Sequence, residues 1–431
     1  MQRINYTHKE QNPHHTMRRI RQIVGLFVTI TAITACQRGN RATTLPDELI
    51  SPKTGTKKEL TLDSIYLYAK QLYRWQEALP SYTSFDPRAQ YAQIEPEQTA
   101  YERELFALSQ YALRITEKPY EWSTIPNKPK YSYLERRRTE KKSSGHLAST
   151  TTPYRYATHL SYWSVGNKRI AYIYIPSFPQ LQTVKAELDQ LTVELAQQQV
   201  THLILDLRHN GGGYVETAEY LANLISPPKL DKKVMFSEQF HPNVQQGRAK
   251  LLLNQPYLDA NGKVVQYKGR PATLADVDYS EKANTHYFIK KGNFNSLQQL
   301  SCIVSERTAS ASELLISCFK PYIPIRLIGQ QTFGKPVGFF SIRIGAFDIY
   351  LASFLIRNAD GWSDYFDGIP VDLALAPVET FRHPGDPKEA WLAAALKDLV
   401  GDLRIKAISS ASYFPPPADE NLLLKTNFRL K

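Results

Sequence analysis

The chain has 431 residues, 42% hydrophobic, 22% charged and 11% aromatic. That balance excludes a wholly disordered chain and any collagen-like or coiled-coil rod. At about 150 residues per domain the length allows two or three domains, one of them large enough for a sizeable core. The formal net charge is +12, and the basic run Arg136-Arg137-Arg138 with Lys141-Lys142 contributes to it. No zinc-finger, helix-turn-helix or RNA-binding signature accompanies that run, so it reads as a solvated loop and no nucleic-acid partner is expected. Three cysteines, at 36, 302 and 318, cannot make a disulfide scaffold and fit no zinc spacing. Cys302 and Cys318 fall in apolar runs and read as small core residues, with a disulfide between them as the alternative.

The front end reads as an export signal. Met17-Arg18-Arg19-Ile20-Arg21 is a basic start, and Ile23–Ala35 is an apolar stretch of 13 residues. A bilayer-spanning helix needs ~20 apolar residues, whereas this stretch has the length of a secretory core. It runs into Ile33-Thr34-Ala35-Cys36, which resembles a bacterial lipobox with cleavage before Cys36 and lipid on its thiol. The alternative is an ordinary signal peptide, residues 1–35, followed by a chance cysteine. The lipoprotein reading implies a bacterial cell envelope, a membrane partner through lipid on Cys36, and a mature chain facing the periplasm. Residues 36–60 are polar and punctuated, the composition of a tether.

Ile65, Tyr68, Leu72, Trp75 and Leu79 recur at helical spacing, and Pro80 stops the pattern. Glu95-Pro96 opens a second helix, with Tyr101, Leu105, Leu108, Ala112 and Ile115 on its buried side. Residues 61–118 are therefore expected as a helical segment whose apolar stripes pack together. From 119 to 158 the pattern dissolves into Pro, Lys, Arg, Ser and Thr, a linker. A core is expected over 159–400. It starts with strand Lys168–Pro176, helix Thr183–Gln199, strand His202–Leu207 and a helix through Ala218–Ile225. Residues 229–297 read as an irregular polar insertion. Strand Leu300–Ser305, helix Thr308–Phe319 and strand Arg326–Gly329 follow, and Gly338–Gly345 with Phe347–Arg357 alternates like a hairpin. Asp386-Pro387-Lys388-Glu389 is a helix start, with Leu392, Leu396 and Leu399 on one face. Residues 401–431 read as a tail. Strands alternating with helices across Gly turns indicate an α/β fold.

Three segments could carry chemistry. Asn210-Gly211-Gly212-Gly213 follows a buried strand; its glycines let backbone N–H groups approach an anion or oxyanion, or they simply make a strand-to-helix turn. Thr308-Ala309-Ser310-Ala311-Ser312-Glu313 contains Ser-x-x-Glu, a capping box. It also places Ser310 at a helix N-terminus, where the N–H of Ala311 could help hold an oxyanion. Thr332-Phe333-Gly334-Lys335 supplies a lysine 25 residues after Ser310. Such a lysine is a base if burial lowers its pKa, and a solvated turn residue otherwise. None of the ten histidines sits in a recognisable triad. No metal site and no cofactor are expected.

Together Leu205–Gly213, Thr308–Glu313 and Gly329–Lys335, with Tyr365–Asp372 after them, resemble the tail-specific (C-terminal processing) serine peptidases over roughly 165–400. Lys320-Pro321 and Lys335-Pro336-Val337-Gly338 resemble forms found among Bacteroidetes envelope lipoproteins. The resemblance implies a ClpP- and crotonase-like α/β core. It further implies Ser310 as nucleophile, Lys335 as general base, and the N–H groups of Ala311 and Gly211 or Gly212 as oxyanion donors. The positions where relatives carry a lysine-orienting polar group hold Phe339 and Pro321 here. Only about 45 residues with one glycine separate Ile115 from Tyr162, too few for the ~80–100 of a PDZ domain with a carboxylate-binding loop, so that domain is expected to be absent. The expected function is an envelope-anchored serine endopeptidase acting on unfolded or extended polypeptides. The alternative is a non-catalytic peptide- or ligand-binding lipoprotein on the same fold.

Overall fold

The run His-Leu-Ile-Leu-Asp at 202–206 is buried along its whole length, as a strand must be at the centre of a sheet covered on both faces. It is one of seven strands: β1 (His159–Val165), β2 (Lys168–Tyr174), β3 (His202–Asp206), β4 (Gln299–Val304), β5 (Ile325–Gly329), β6 (Leu373–Ala374) and β7 (Lys406–Ser410). Their order across the sheet is β6-β5-β4-β3-β2-β1-β7. The five strands from β2 to β6 run parallel, while β1 and β7 extend the sheet antiparallel. The computed structural model describes residues 51–137, 159–259, 262–339, 341–377, 384–401 and 406–410. The expected signal peptide, Cys36 and most of the tether lie outside them, as does most of the expected tail.

Six helices matter here: α1 (Lys57–Leu72), α2 (Glu97–Ser109), α3 (Leu181–Gln197), α4 (Val215–Ile225), α5 (Ala311–Phe319) and α6 (Ala390–Val400). The period-2 alternation of the strands sorts their side chains onto two faces. Ile170, Tyr172, Tyr174, Ile204, Ile303 and Ile328 pack with Trp391, Leu392 and Leu396 of α6. Ala171, Ile173, Leu203, Leu205, Cys302 and Leu327 face the larger core, which also takes in α3, α4, α5 and the apolar stripes of α1 and α2. The upstream helices thus share one hydrophobic core with the sheet. Cys302 and Cys318 are both free and buried in it.

Several boundaries differ from the sequence-based expectation. Helix α1 starts at Lys57, because Thr56 and Glu59 form a reciprocal capping box, and it ends at Leu72. Trp75 and Leu79 flank a separate short turn, Gln76–Ala78. Residues 119–137 of the expected linker are built into the fold. Tyr133–Arg136 pairs antiparallel with Phe347–Tyr350, which pairs in turn with Ser341–Ile344 as the expected hairpin. The expected irregular insertion supplies Val234–Phe240 and Thr285–Tyr287 to a four-stranded sheet with Phe354–Asn358 and Val337–Gly338. Lys406–Ser410, within the expected tail, is an edge strand on β1.

Candidate active site

Three neighbouring parallel strands each release a loop at the carboxyl end. β3 leads into 207–213, β4 into 305–310 and β5 into 330–335. Crevices at the carboxyl ends of parallel strands are where open α/β sheets place ligands. The loops are stitched together by hydrogen bonds. Thr308 Oγ1 donates to Leu207 O (2.8 Å), Ala309 N–H to Asn210 O (3.2 Å), Ser312 Oγ to Asn210 O (3.1 Å) and Phe333 N–H to Thr308 O (3.0 Å).

Ser310 sits immediately before α5 at φ 60° and ψ −116°. A non-glycine residue rarely takes such a backbone, at a cost of about 1–3 kcal/mol, and such strain clusters where a side chain must be aimed. The residue is 2% exposed. Its main-chain N–H donates to Glu313 Oε2 at 2.9 Å, the carboxylate half of the expected capping box. The hydroxyl half falls short of a hydrogen bond: Ser310 Oγ faces the Glu313 N–H as a cap would, but it is buried without a bonded partner. A buried hydroxyl left unbonded costs about 1–3 kcal/mol, so the site keeps this atom uncommitted at a price in stability.

Gly212 is required by close approach. At φ 109°, a Cβ there would stand 2.8 Å from Ser310 Cβ and 2.9 Å from Ala309 O. Its N–H donates to Asn210 Oδ1 at 2.8 Å and is already engaged. Gly211 is exposed beside it. Ala311 opens α5, where a first-turn N–H has no acceptor within the helix. Of the three expected oxyanion donors, Gly211 and Ala311 are the two whose amides are uncommitted by these contacts.

Lys335 follows Gly334, whose φ of +85° and close packing on Gly368 and Phe366 exclude a side chain. Burial lowers the Lys335 pKa to about 8, against the opposing pull of Glu313 and Glu121. Its Nζ lies 4.7 Å from the ring centroid of Phe339. The position where relatives carry a polar orienting group therefore offers an aromatic face, a weak cation–π contact. Pro321 makes no such contact.

Glu313, 0% exposed, is the hub that sequence reasoning reduced to a helix cap. Oε1 accepts from Thr332 Oγ1 (2.5 Å) and Gly334 N–H (2.6 Å), and Oε2 from the N–H groups of Ser310 (2.9 Å) and Lys335 (2.8 Å). Burial pushes its pKa up and these bonds pull it back. The Tyr365–Asp372 segment closes the same turn: Ile369 N–H donates to Thr332 Oγ1 at 2.7 Å. A second unforeseen support is Arg208, which pairs with Asp206 and, through both terminal nitrogens, with Glu389 at 2.8 and 2.9 Å. It also stacks 4.9 Å over Trp391, fixing the base of the Gly turn to α6. The alternation of charge in Asp206-Leu207-Arg208 was the available signal; its distant partner Glu389 was not.

Residues 169–346, which include the Gly turn, Ser310, Glu313 and Lys335, match peptidase family S41. A probable CtpA-like serine protease of Staphylococcus epidermidis is 26% identical over 152 residues, 35% of this chain and 22% of that protein. A tail-specific protease of Haemophilus influenzae is 28% identical over 257 residues, 54% of this chain and 29% of that protein. The chain thus spans less than a third of these relatives. Among solved structures, the photosystem II D1 C-terminal processing protease aligns over 52% of this chain and 48% of its own, with TM-score 0.35 and 18% identity. A lipoprotein from Streptococcus agalactiae aligns over 80% and 99%, with TM-score 0.41 and 15% identity. Through residues 169–346 the chain carries a peptidase family S41 domain.

Proposed function

We propose that this protein is a serine endopeptidase that cleaves unfolded or extended polypeptides through a Ser310/Lys335 dyad. The observation that carries the reading is the pairing of an uncommitted, buried Ser310 hydroxyl on a strained backbone with a lysine whose pKa lies near 8, both tied to one carboxylate. A base with that pKa is partly neutral at physiological pH, as general-base work requires.

Neutral Lys335 Nζ takes the proton of Ser310 Oγ as the oxygen attacks the scissile carbonyl. The carbonyl oxygen becomes an oxyanion, received by the N–H groups of Ala311 and Gly211. Collapse breaks the C–N bond, and the Lys335 ammonium returns the proton to the departing amine. An ester to Ser310 remains. Water then attacks that ester, giving its proton to Lys335, and the Ser310 hydroxyl is regenerated as the acid product leaves.

The test is incubation of the protein from Arg38 onward, and of its Ser310→Ala and Lys335→Ala variants, with an unfolded protein, fragments being read by mass spectrometry. Cleavage by the parent alone supports the reading; equal cleavage by Ser310→Ala contradicts it. We further propose lipid attachment at Cys36 and residence in a bacterial envelope facing the periplasm, supported by the basic start, the apolar 13-residue stretch and Ile33-Thr34-Ala35-Cys36. A lipid mass on the N-terminal Cys36 peptide of membrane-extracted protein is the expected result, and an unmodified Cys36 the contrary one.

A further inference from the structure

The turn that presents Lys335 is gripped from outside residues 169–346. Arg114 forms a two-pronged pair with Asp367 at 2.7 and 2.9 Å. Lys130 Nζ donates to Phe366 O at 2.6 Å and stands 4.8 Å from the Phe333 ring centroid. Tyr131, 3% exposed, donates its hydroxyl proton to Gly334 O at 2.6 Å. That carbonyl belongs to the peptide unit whose N–H is Lys335 N–H, the donor to Glu313 Oε2. One peptide plane is therefore pinned at both ends, by α5 on its amide side and by Tyr131 on its carbonyl side.

Tyr131 is itself held. The buried carboxylate of Glu121 accepts from Tyr131 N–H (3.1 Å), Ser132 N–H (2.6 Å) and Ser132 Oγ (2.7 Å). Ser132 Oγ accepts in turn from Ala352 N–H at 3.0 Å, beyond the hairpin. This is more hydrogen bonding than a linker needs, and the Tyr131 hydroxyl carries it to the lysine turn.

We propose that Glu121 and Tyr131 are positioning residues of the active site: Tyr131 fixes the peptide that aims Lys335, and Glu121 both fixes Tyr131 and sets the charge balance around the lysine. The proposal rests on the Ser310/Lys335 reading for its effect on turnover. The charged and titratable groups around the lysine turn are Glu313 from α5, Arg114, Glu121, Lys130 and Tyr131 from the upstream segment, and Tyr365 and Asp367 from the following loop, with Tyr73 facing Glu121. Glu313 and Glu121 are the two that favour the Lys335 ammonium. Removing the Glu121 charge leaves burial less opposed.

The test combines two readouts on the full chain. Trace acetylation with acetic anhydride across pH 6–11 reads the neutral fraction of each lysine, and Lys335 and Lys130 fall in separate peptides for mass spectrometry. In Glu121→Gln the Lys335 midpoint is expected at lower pH than in the parent, with the acid limb of peptide cleavage moving the same way. In Tyr131→Phe, which loses only a hydroxyl, kcat is expected to fall about tenfold with KM within twofold, in keeping with one lost hydrogen bond to a buried carbonyl. An unmoved Lys335 midpoint in folded Glu121→Gln, or an unchanged kcat in Tyr131→Phe, overturns the proposal. If Glu121→Gln fails to fold, Tyr131→Phe decides. If the parent itself cuts nothing, the peptidase reading fails while the Lys335 midpoints still decide the role of Glu121.

Discussion

The main-chain N–H groups of Ser310 and Lys335, 25 residues apart in sequence, donate to the same oxygen, Oε2 of Glu313, at 2.9 and 2.8 Å. In the proposed dyad, nucleophile and base must keep their relative placement to within a fraction of an ångström for proton transfer to be productive. Here one carboxylate, inside the first turn of α5, sets both main chains at once. All four of its neighbours donate, and each bond to a charged acceptor is worth about 1.5–3 kcal/mol.

Glu313→Gln replaces one accepting oxygen with a donor that faces N–H groups. The expected outcome is a loss of kcat of about 100-fold or more together with a lowered Tm. Cleavage rates and thermal melts on the same preparation check it. Full activity would mean that the shared oxygen does not matter to the dyad.

Ser310 carries its backbone strain whatever its side chain, since alanine suffers at φ 60° as serine does. Glycine does not. Ser310→Gly and Ser310→Ala are both expected to be inactive, with Ser310→Gly the more stable by about 1 kcal/mol or more. Denaturant midpoints at equal slope check the ordering, and the reverse order would remove strain from the account.

Glu238 lies in the strand Val234–Phe240, 2% exposed, with Oε1 unpartnered. Burial raises its pKa to about 7, opposed by His286 and reinforced by Glu219. The folded chain therefore keeps a proton between about pH 4.5 and 7 that the unfolded chain has lost. The stabilisation is complete below about pH 4.5 and is lost as pH rises through about 7. Glu238→Gln, neutral at every pH, is expected to melt above the parent at pH 8, on the order of 1–3 kcal/mol more stable, with the gap closing toward pH 4. A pH-independent gap would assign the effect to packing.

The sheet was legible because its strands announce themselves. His202–Asp206, Gln299–Val304 and Ile325–Gly329 are short apolar runs between Gly turns and amphipathic helices, and each was placed to within a residue or two. Ser310, Lys335 and the Gly turn were singled out by short local motifs and by the resemblance those motifs make together, and the structure places them in loops that leave three neighbouring strands. What stayed hidden depends on contacts distant in sequence. Tyr133–Arg136 is a four-residue edge strand among Lys and Arg, recognisable only once Phe347–Tyr350 is there to pair with it. Glu121 fell within the expected linker and Glu389 within a helix start, yet both are buried, with partners 11 and 181 residues away. Glu313 gave half its meaning: the Ser-x-x-Glu spacing predicts the bond to Ser310 N–H, but nothing local reports its three bonds to the lysine turn.

The central claim is that Lys335 deprotonates Ser310. Its most direct test is the rate of covalent phosphonylation by a fluorophosphonate, followed across pH 6–10 in the parent and in Lys335→Ala, with the labelled residue identified by mass spectrometry. The account predicts label on Ser310, a rate that rises with pH through about 8 as the lysine loses its proton, and a rate at least 100-fold lower in Lys335→Ala. Label on another residue, or an equal rate in Lys335→Ala, would contradict it.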